Sequence, residues 1–384
     1  MDYTLDNEVL SVQINGELNS YNAEQVEKEV EATISGKSFN KLILDFANLY
    51  YISSAGLRIV LKLKQKYSSL TIIDATLEVY DILQMTGFTN IIEVKKALHR
   101  VDVSEAEVIG TGFFSTVYRI NKDTIIKVFN KTSDADQIER ELRLAKEAFI
   151  LGIPTAISFD VVKVGDKLGV RFEMLDCMSL KNAIMDNPKE SKDYIEKYAA
   201  LLKKINTTQC DDPNIPDIKK FYLQKIDKLK ADLPANYYEK AKKMLEAIED
   251  RRTLIHGDCH FKNIFVQNGE LLLIDMDTLS IGYPIFELAA ICSSYTLYDE
   301  DEAGNSEKFF GIKYEDALNL YNSVVDHYLG QDDVAKKEKI KLVAYIHLLW
   351  WNRVNEPNNM VRYEGVKERL VKLLDKYDDL DIGV

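Results

Sequence analysis

Ile255-His256-Gly257-Asp258-Cys259-His260-Phe261-Lys262-Asn263-Ile264-Phe265, continued after the turn pair Asn268-Gly269 by Leu271-Leu272-Leu273-Ile274-Asp275-Met276-Asp277, is the stretch on which the reading of this chain turns. It is a strand-rich interruption in an otherwise helical second half. Asn-Gly between two apolar runs predicts a tight hairpin. Asp258 and Asn263, five residues apart on a loop, suit the joint work of orienting a hydroxyl and binding a metal. Asp275 closes an apolar strand and adds a second carboxylate. Mg²⁺ takes few protein oxygens and completes its shell with phosphate and water, which this set would suit. A single Asp here would be an ordinary surface turn; the constellation as a whole is not explained that way.

Working outward, three upstream features supply the other parts that phosphoryl transfer needs: held phosphates, neutralised charge and an oriented acceptor. Gly110-Thr111-Gly112-Phe113-Phe114-Ser115-Thr116-Val117 lies between two predicted strands, and its glycines allow backbone N–H groups to approach phosphates. By itself it would be an ordinary hairpin. Lys127 sits inside the apolar strand Ile125-Ile126-Lys127-Val128-Phe129, where a lysine is costly unless paired or functional. Period two places Ile125 on the face of Lys127, so Ile125 would roof a base while Lys127 reaches phosphate. The alternative is a snorkelling edge lysine. Glu141, in the helix predicted over 134–151, is the candidate partner of Lys127. Glu139 and Glu147 compete with it on the same helix.

The 384 residues suffice for two or three domains. Asp plus Glu outnumber Lys plus Arg by 62 to 49, which argues against an electrostatic nucleic-acid binder. Cys177, Cys210, Cys259 and Cys292 are too widely spaced for a zinc knuckle or redox pair and read as reduced thiols. The acidic N-terminus has no apolar signal segment. Leu342 to Trp351 is too short to span a bilayer and contains His347. These features predict a cytoplasmic protein with no membrane association. Asp299 to Glu302 reads as a solvated acidic loop.

Residues 1–97 alternate strand and helix signals and predict a small α/β domain, a mixed sheet with helices. The strands are expected near 9–14, 41–46, 70–73 and 91–94, and the helices over 23–34, from Ser54, and over 79–85. Residues 98–104 are short and polar and read as a linker. Strand signals then dominate 105–175, and helical, Lys-rich sequence dominates 176–384.

The chain from about Val103 onward resembles the aminoglycoside phosphotransferase and choline kinase branch of the protein-kinase-like fold. His256-Gly257-Asp258 with Asn263 matches that branch's catalytic loop, and Asp275 matches the metal-binding Asp of the kinase D-F-G element. The resemblance implies an α+β two-lobed domain with its N-terminal lobe at 105–175 and helical C-terminal lobe at 176–384. It implies Asp258 as catalytic base, with Lys127 on the phosphates and paired to Glu141. Gly110, Gly112, Ser115, Val117 and Ile125 would line the ATP site, and Asn263 and Asp275 would be the Mg²⁺ ligands. Glu173-Met174-Leu175 looks like the interlobe hinge, which places adenine against backbone groups of Glu173 and Leu175. Asp277 is a candidate second metal contact, and His260 is read as ordering the loop. The sequence departs from the family pattern at Ser115 and Cys177, where glycines are common, and at Glu287, a usual Asp position. The acceptor pocket in this branch is built by the helical insert, here 181–248, and the C-terminal helices, with Trp350, Trp351 and Asn352 as candidate lining.

Leu44-Asp45-Phe46, Tyr51-Ile52-Ser53-Ser54-Ala55-Gly56-Leu57-Arg58 and Thr86-Gly87-Phe88 resemble the STAS domain of bacterial anti-sigma factor antagonists. In that family a serine at a helix N-terminus is phosphorylated by a partner kinase, and Gly56 aligns Ser54 with it. Ser53 stands where the family usually has Asp. A serine at a helix start is first of all an N-cap. A phosphate on Ser54 would sit at the positive end of the helix dipole and add about two negative charges to a docking surface.

Three readings follow. The first is an ATP-dependent phosphotransferase acting on a hydroxyl-bearing small molecule, with a STAS regulatory module and its protein partner. The second keeps the kinase and makes a STAS serine such as Ser54 the acceptor. The third is a nucleotide-sensing interaction protein without turnover.

Overall fold

The computed structural model describes residues 1–112, 115–130, 135–186 and 189–384. Phe113 and Phe114 of the glycine loop and Asp134 at the predicted helix start lie outside the described residues. The chain divides into two compact units, Met1–Asp102 and Val103–Val384.

In the first unit, β1 (Tyr3–Asp6), β2 (Val9–Gln13), β4 (Lys41–Asp45), β6 (Thr71–Ala75) and β7 (Glu93–Lys96) form one sheet in the order β1-β2-β4-β6-β7. The β1–β2 pair is antiparallel and the remaining pairs are parallel, so the sheet is mixed. Parallel neighbours need crossover connections. Helices α1 (Ala23–Ile34), α2 (Ser54–Lys66) and α3 (Leu77–Met85) provide them. Two short strands, β3 (Gly16–Leu18) and β5 (Leu49–Ile52), pair in parallel beside the sheet. Leu10, Val12, Leu42, Leu44 and Ile72 of the strands share one core with Val30, Val60, Val79 and Leu83 of the helices. The predicted α1 limits match the observed helix, while β1, β3 and β5 carried no clear sequence signal. His99–Arg100, read as linker, forms a short strand, β8.

The second unit opens with antiparallel strands β9 (Glu107–Thr111), β10 (Ser115–Arg119), β11 (Thr124–Phe129), β12 (Ser158–Val164) and β13 (Lys167–Glu173), ordered β12-β13-β11-β10-β9. Ile126 and Val128 are buried while Ile125 and Lys127, on the other face of β11, are only partly covered. Helix α4 (Ala135–Ile150) packs Leu144, Ala145 and Ala148 into the core of the helical half. That half contains α5 (Leu180–Met185), α6 (Ser191–Thr207), α7 (Ile218–Lys228), α8 (Ala235–Glu246), α9 (Ile285–Cys292), α10 (Tyr298–Asp301), α11 (Asn305–Phe310), α12 (Tyr314–Leu329), α13 (Val334–Asn355) and α14 (Met360–Lys376). Its strand-rich insert holds β15 (Leu254–Ile255), β16 (Ile264–Gln267), β17 (Glu270–Leu273) and β18 (Ser280–Ile281), and β14 (Met178–Ser179), ahead of α5, pairs with β16. The β16–β17 hairpin turns at Asn268 and Gly269, with φ of 52° and 82°, as the Asn-Gly pair predicts. Hydrogen bonds tie the segment before β12 to β17: Leu273 N–H donates to the Pro154 carbonyl at 2.7 Å and Thr155 Oγ1 donates to the Leu273 carbonyl at 2.9 Å.

One surface expectation fails. Asp299 to Glu302 is not a solvated loop: its first three residues belong to α10, and the Asp301 side chain is 1% exposed. Asp301 accepts from Arg362 Nε and from Asn352 Nδ2, and Arg369 adds a second cation 3.6 Å away. Asp299 caps the next turn through the N–H groups of Gly304 and Ser306. The partners come from α11, α13 and α14, too far along the chain for local sequence to announce them.

No described helix is long and apolar enough to cross a membrane.

Candidate active site

The loop between β15 and β16 is held from beneath. Glu287 in α9 is fully buried, and its carboxylate accepts the N–H groups of His256 at 2.5 Å and Gly257 at 3.2 Å. Burial raises its pKa to about 7, opposed by those two backbone bonds. Gly257 has φ of 82°, and a Cβ there would meet the Thr278 carbonyl at 3.2 Å, so glycine is required twice over. Thr278 Oγ1 donates to the His256 carbonyl at 2.6 Å. His256 is buried and its pKa is lowered by burial. Its Nδ1 accepts the Asp258 N–H at 3.2 Å, which leaves Nε2–H to donate to the Ile274 carbonyl, also at 3.2 Å. Farther along, Tyr198 hydroxyl donates to the Cys259 carbonyl and Tyr295 hydroxyl accepts the Phe261 N–H at 2.8 Å.

These bonds present Asp258 to a cavity of about 330 Å³, which it lines. Its side chain is 41% exposed on the cavity side and walled by protein elsewhere. That enclosure, joined by the charge of Asp275, pushes its pKa up to about 6, against the opposing effects of His256 and Asn263. Asn263 Nδ2 donates to the Asp258 carbonyl and to its Oδ2, both at 3.0 Å. The amide nitrogen of Asn263 is thereby committed, and its oxygen is the atom left to offer a cation. His260 lies 3.4 Å from Asp258 Oδ1 and edge-on to Phe309 and Phe310. Burial lowers its pKa to about 4, so it packs there as a neutral ring.

Lys127 is not a snorkelling lysine. Its ammonium lies 2.7 Å from Glu141 Oε1 and 2.8 Å from Asp275 Oδ1. Burial alone would lower the lysine's pKa; the Asp275 and Glu141 charges outweigh it and raise the value well above the ordinary range. Burial raises the Glu141 pKa, with Lys127 opposing. Glu141 is buried and meets Lys127, whereas Glu139 is exposed and Glu147 half-buried, and the ion pair goes to Glu141. Gly110, Val117, Lys127 and Val170 fall in one row across β9, β10, β11 and β13. Among the described residues, a Cβ on Gly110 or Gly112 would meet only ordinary contacts at 3.6 Å or more, so their packing demands neither glycine. Ser115 is buried and its carbonyl accepts the Gly112 N–H at 2.8 Å, closing the loop. Ile125 lies partly exposed two residues before Lys127 on β11. Glu173 ends β13; its N–H donates to the Ile157 carbonyl, and its side chain accepts the Ile157 N–H at 2.7 Å. The Leu175 carbonyl meets the Cys177 thiol at 3.5 Å.

Asp275 adopts a left-handed backbone, φ 66° and ψ 70°, a strained conformation for a residue with a Cβ and one that collects at working sites. Asp277 follows on the cavity wall. Enclosure and the neighbouring Asp275 charge push its pKa up to about 7. Asp258 and Asp277, each raised by enclosure and by the Asp275 charge, form a concentration of negative charge that suits a divalent cation. Among the described residues no group of three His, Cys, Asp or Glu forms a complete metal cage.

The cavity is completed by residues that sequence reasoning did not find. Lys225 and Tyr222 of α7 and His347 of α13 line it, together with Arg140. A π-helical turn over Ser293–Leu297 joins α9 to α10 and brings Ser293 and Ser294 to the same wall. Of the three candidate lining residues on α13, only Trp350 reaches the cavity. Trp351 is exposed, and Asn352 is buried against Asp301. Three adjacent residues on a helix point in three directions, so they cannot share one wall.

In the first unit, α2 is capped by Ser53, whose Oγ accepts the Gly56 N–H at 3.5 Å. Ser54 is the first helical residue and is exposed, so the capping role falls to its neighbour. A Cβ on Gly56 would meet Leu18 and Ile52 at 2.7–2.8 Å, which explains why only glycine fits there.

The site and the fold together define a kinase-type phosphotransferase. Residues 105–316 match the model of the phosphotransferase enzyme family, and the chain belongs to that family. Its first unit is a STAS domain, matched over residues 1–101. Over 85 residues it is 38% identical to the putative anti-sigma factor antagonist BtrV of Bordetella bronchiseptica, covering 21% of this chain and 72% of that protein. Among solved structures, aminoglycoside phosphotransferase APH(2'')-Ib with ADP bound aligns at 15% identity and a TM-score of 0.47, over 80% of this chain and 99% of that one. A putative anti-sigma factor antagonist from Thermotoga maritima aligns at 23% identity and a TM-score of 0.24, over 25% of this chain and 85% of that one.

Proposed function

We propose that this protein transfers the γ-phosphoryl group of ATP to the hydroxyl of a small molecule, with the STAS unit as a regulatory module. The observation that carries the reading is Asp258: a carboxylate lining the cavity, fixed by Asn263, with a pKa of about 6 that suits a base at neutral pH. The acceptor hydroxyl donates to Asp258 and gives up its proton there as its oxygen bonds to the γ-phosphorus. The bond from that phosphorus to the β,γ-bridging oxygen breaks, and ADP leaves with the electron pair. Lys127, held by Glu141, neutralises phosphate charge. Asn263 and Asp275 would hold Mg²⁺, with Asp277 near enough to contribute, and the ion would supply charge neutralisation at the phosphates. Gly110, Gly112, Ser115 and Val117 would flank the phosphates, Ile125 would cover the base, and main-chain groups of Glu173 and Leu175 would face adenine.

A second reading is favoured by the exposed Ser54 hydroxyl: a STAS serine as the phosphate acceptor. Incubation with Mg-ATP separates the two. Phosphate appearing on an added small alcohol, dependent on Asp258 and absent from Asp258→Asn, supports the first. Stoichiometric phosphate on Ser54 by intact mass, with no transfer to any small acceptor, supports the second. Equal ATP consumption by wild type and Asp258→Asn would defeat both.

A further inference from the structure

The acceptor cavity contains a lysine that no carboxylate among the described residues answers. Lys225 on α7 donates to Nδ1 of His347 at 2.7 Å. Its ammonium also lies over the rings of Tyr222 and Trp350, 4.5 and 5.1 Å from their centroids. His347 is held down to about 3 by burial, with Lys225 second, so it is a neutral imidazole that accepts. Burial lowers Lys225 to about 8, and no carboxylate enters among the causes. Among the described residues, the only acidic ones lining the cavity are Asp258 and Asp277, both taken up by the chemistry proposed above. Arg140 adds a second cation to the lining.

An ammonium has three N–H donors. One is spent on His347, and aromatic faces are weak substitutes for a counter-ion. Enclosing a cation without an opposite charge is expensive, and the expense is offset when a ligand brings that charge. A cationic amino sugar would place like charges beside Lys225 and Arg140. A neutral polyol would leave the ammonium unanswered.

We propose that the phosphate acceptor is a hydroxyl compound that also bears an anionic oxygen group, carboxylate or phosphate, seated on Lys225 at the α7–α13 wall of the cavity. This rests on the phosphotransfer reading for the word acceptor, but the anion seat is measurable without turnover.

The two tryptophans of the chain are Trp350 and Trp351, so a Trp351→Phe protein reports the Lys225 wall through Trp350 emission alone. This full-length protein would be titrated with glucose, glucosamine, glucuronate, glucose 6-phosphate and inorganic phosphate. The anions are expected to change Trp350 emission at concentrations about tenfold or more below glucose or glucosamine. Lys225→Met should lose the response and Lys225→Arg should keep it, with circular dichroism confirming that both are folded. The stronger of glucuronate and glucose 6-phosphate distinguishes carboxylate from phosphate. Three results would overturn the proposal: an equal response to glucosamine, an undiminished response in folded Lys225→Met, or no response to any anion at millimolar concentration. Anion binding in a protein that transfers phosphate to nothing would uphold the seat and defeat the phosphotransfer reading instead.

Discussion

The Glu287 carboxylate, sealed inside the helical half, accepts the backbone N–H of His256 at 2.5 Å. It shares the same duty at Gly257, one residue before the proposed base. Glu287→Ala would strand two buried donors and is expected to cost about 2–4 kcal/mol. The chemical denaturation midpoint should fall, and kcat should fall further than the folded fraction explains. A variant with wild-type kcat would show that the loop does not depend on this anchor.

The rate should follow the ionisation of Asp258. The base works deprotonated, so kcat/KM is expected to rise as pH passes upward through about 6 and then level. Asp258→Asn should lower kcat by about 100-fold or more and remove that limb of the profile. A flat profile between pH 5 and 8 in the wild type, read as about a threefold change or less, would speak against Asp258 as the base.

Lys127 and Glu141 should separate in kinetics. Lys127→Met removes the charge proposed to meet phosphate and is expected to lower kcat/KM for ATP by about 100-fold. Glu141→Gln leaves the lysine in place but holds it less firmly, and a loss of about tenfold is expected. Steady-state assays at saturating acceptor measure both. The reverse order would make Glu141, not Lys127, the group nearer the chemistry.

Asp301 offers a test of the helical half that is independent of catalysis. Asp301→Asn leaves Arg362, itself largely buried, without its closest carboxylate. A loss of about 3 kcal/mol is expected in urea unfolding. A change within experimental error would return this carboxylate to the status of a surface charge.

Ser53 and Ser54 divide capping from modification. Ser53→Ala should destabilise the STAS unit by about 1 kcal/mol, and Ser54→Ala should leave its melting nearly unchanged. The opposite ranking by thermal unfolding would make Ser54 the cap and weaken its case as a modification site.

Much of the site was legible because its residues lie close in sequence. The spacing of Asp258, Asn263 and Asp275 is set by a loop and one hairpin, and Asn268-Gly269 marks that hairpin openly. Lys127 was ambiguous until α4 brought Glu141 to it across 14 residues. The Lys225–His347 pair was illegible, since 122 residues separate two side chains with no local pattern. The β1–β2 hairpin escaped for a different reason. Asn7 and Glu8 take positive φ without a glycine, so the turn lacks the usual marker. Asp301 was misread because an acidic run looks solvated unless its distant arginines are known.

Lys127 serves two carboxylates at once, and one ammonium cannot also give its full charge to a phosphate. A nucleotide that recruits Lys127 releases the carboxylate of Asp275, which then wants a cation of its own. In the proposed reaction, nucleotide and divalent ion are therefore thermodynamically linked through a single side chain. The coupling is reciprocal: whatever factor the ion adds to nucleotide affinity, the nucleotide returns to the ion.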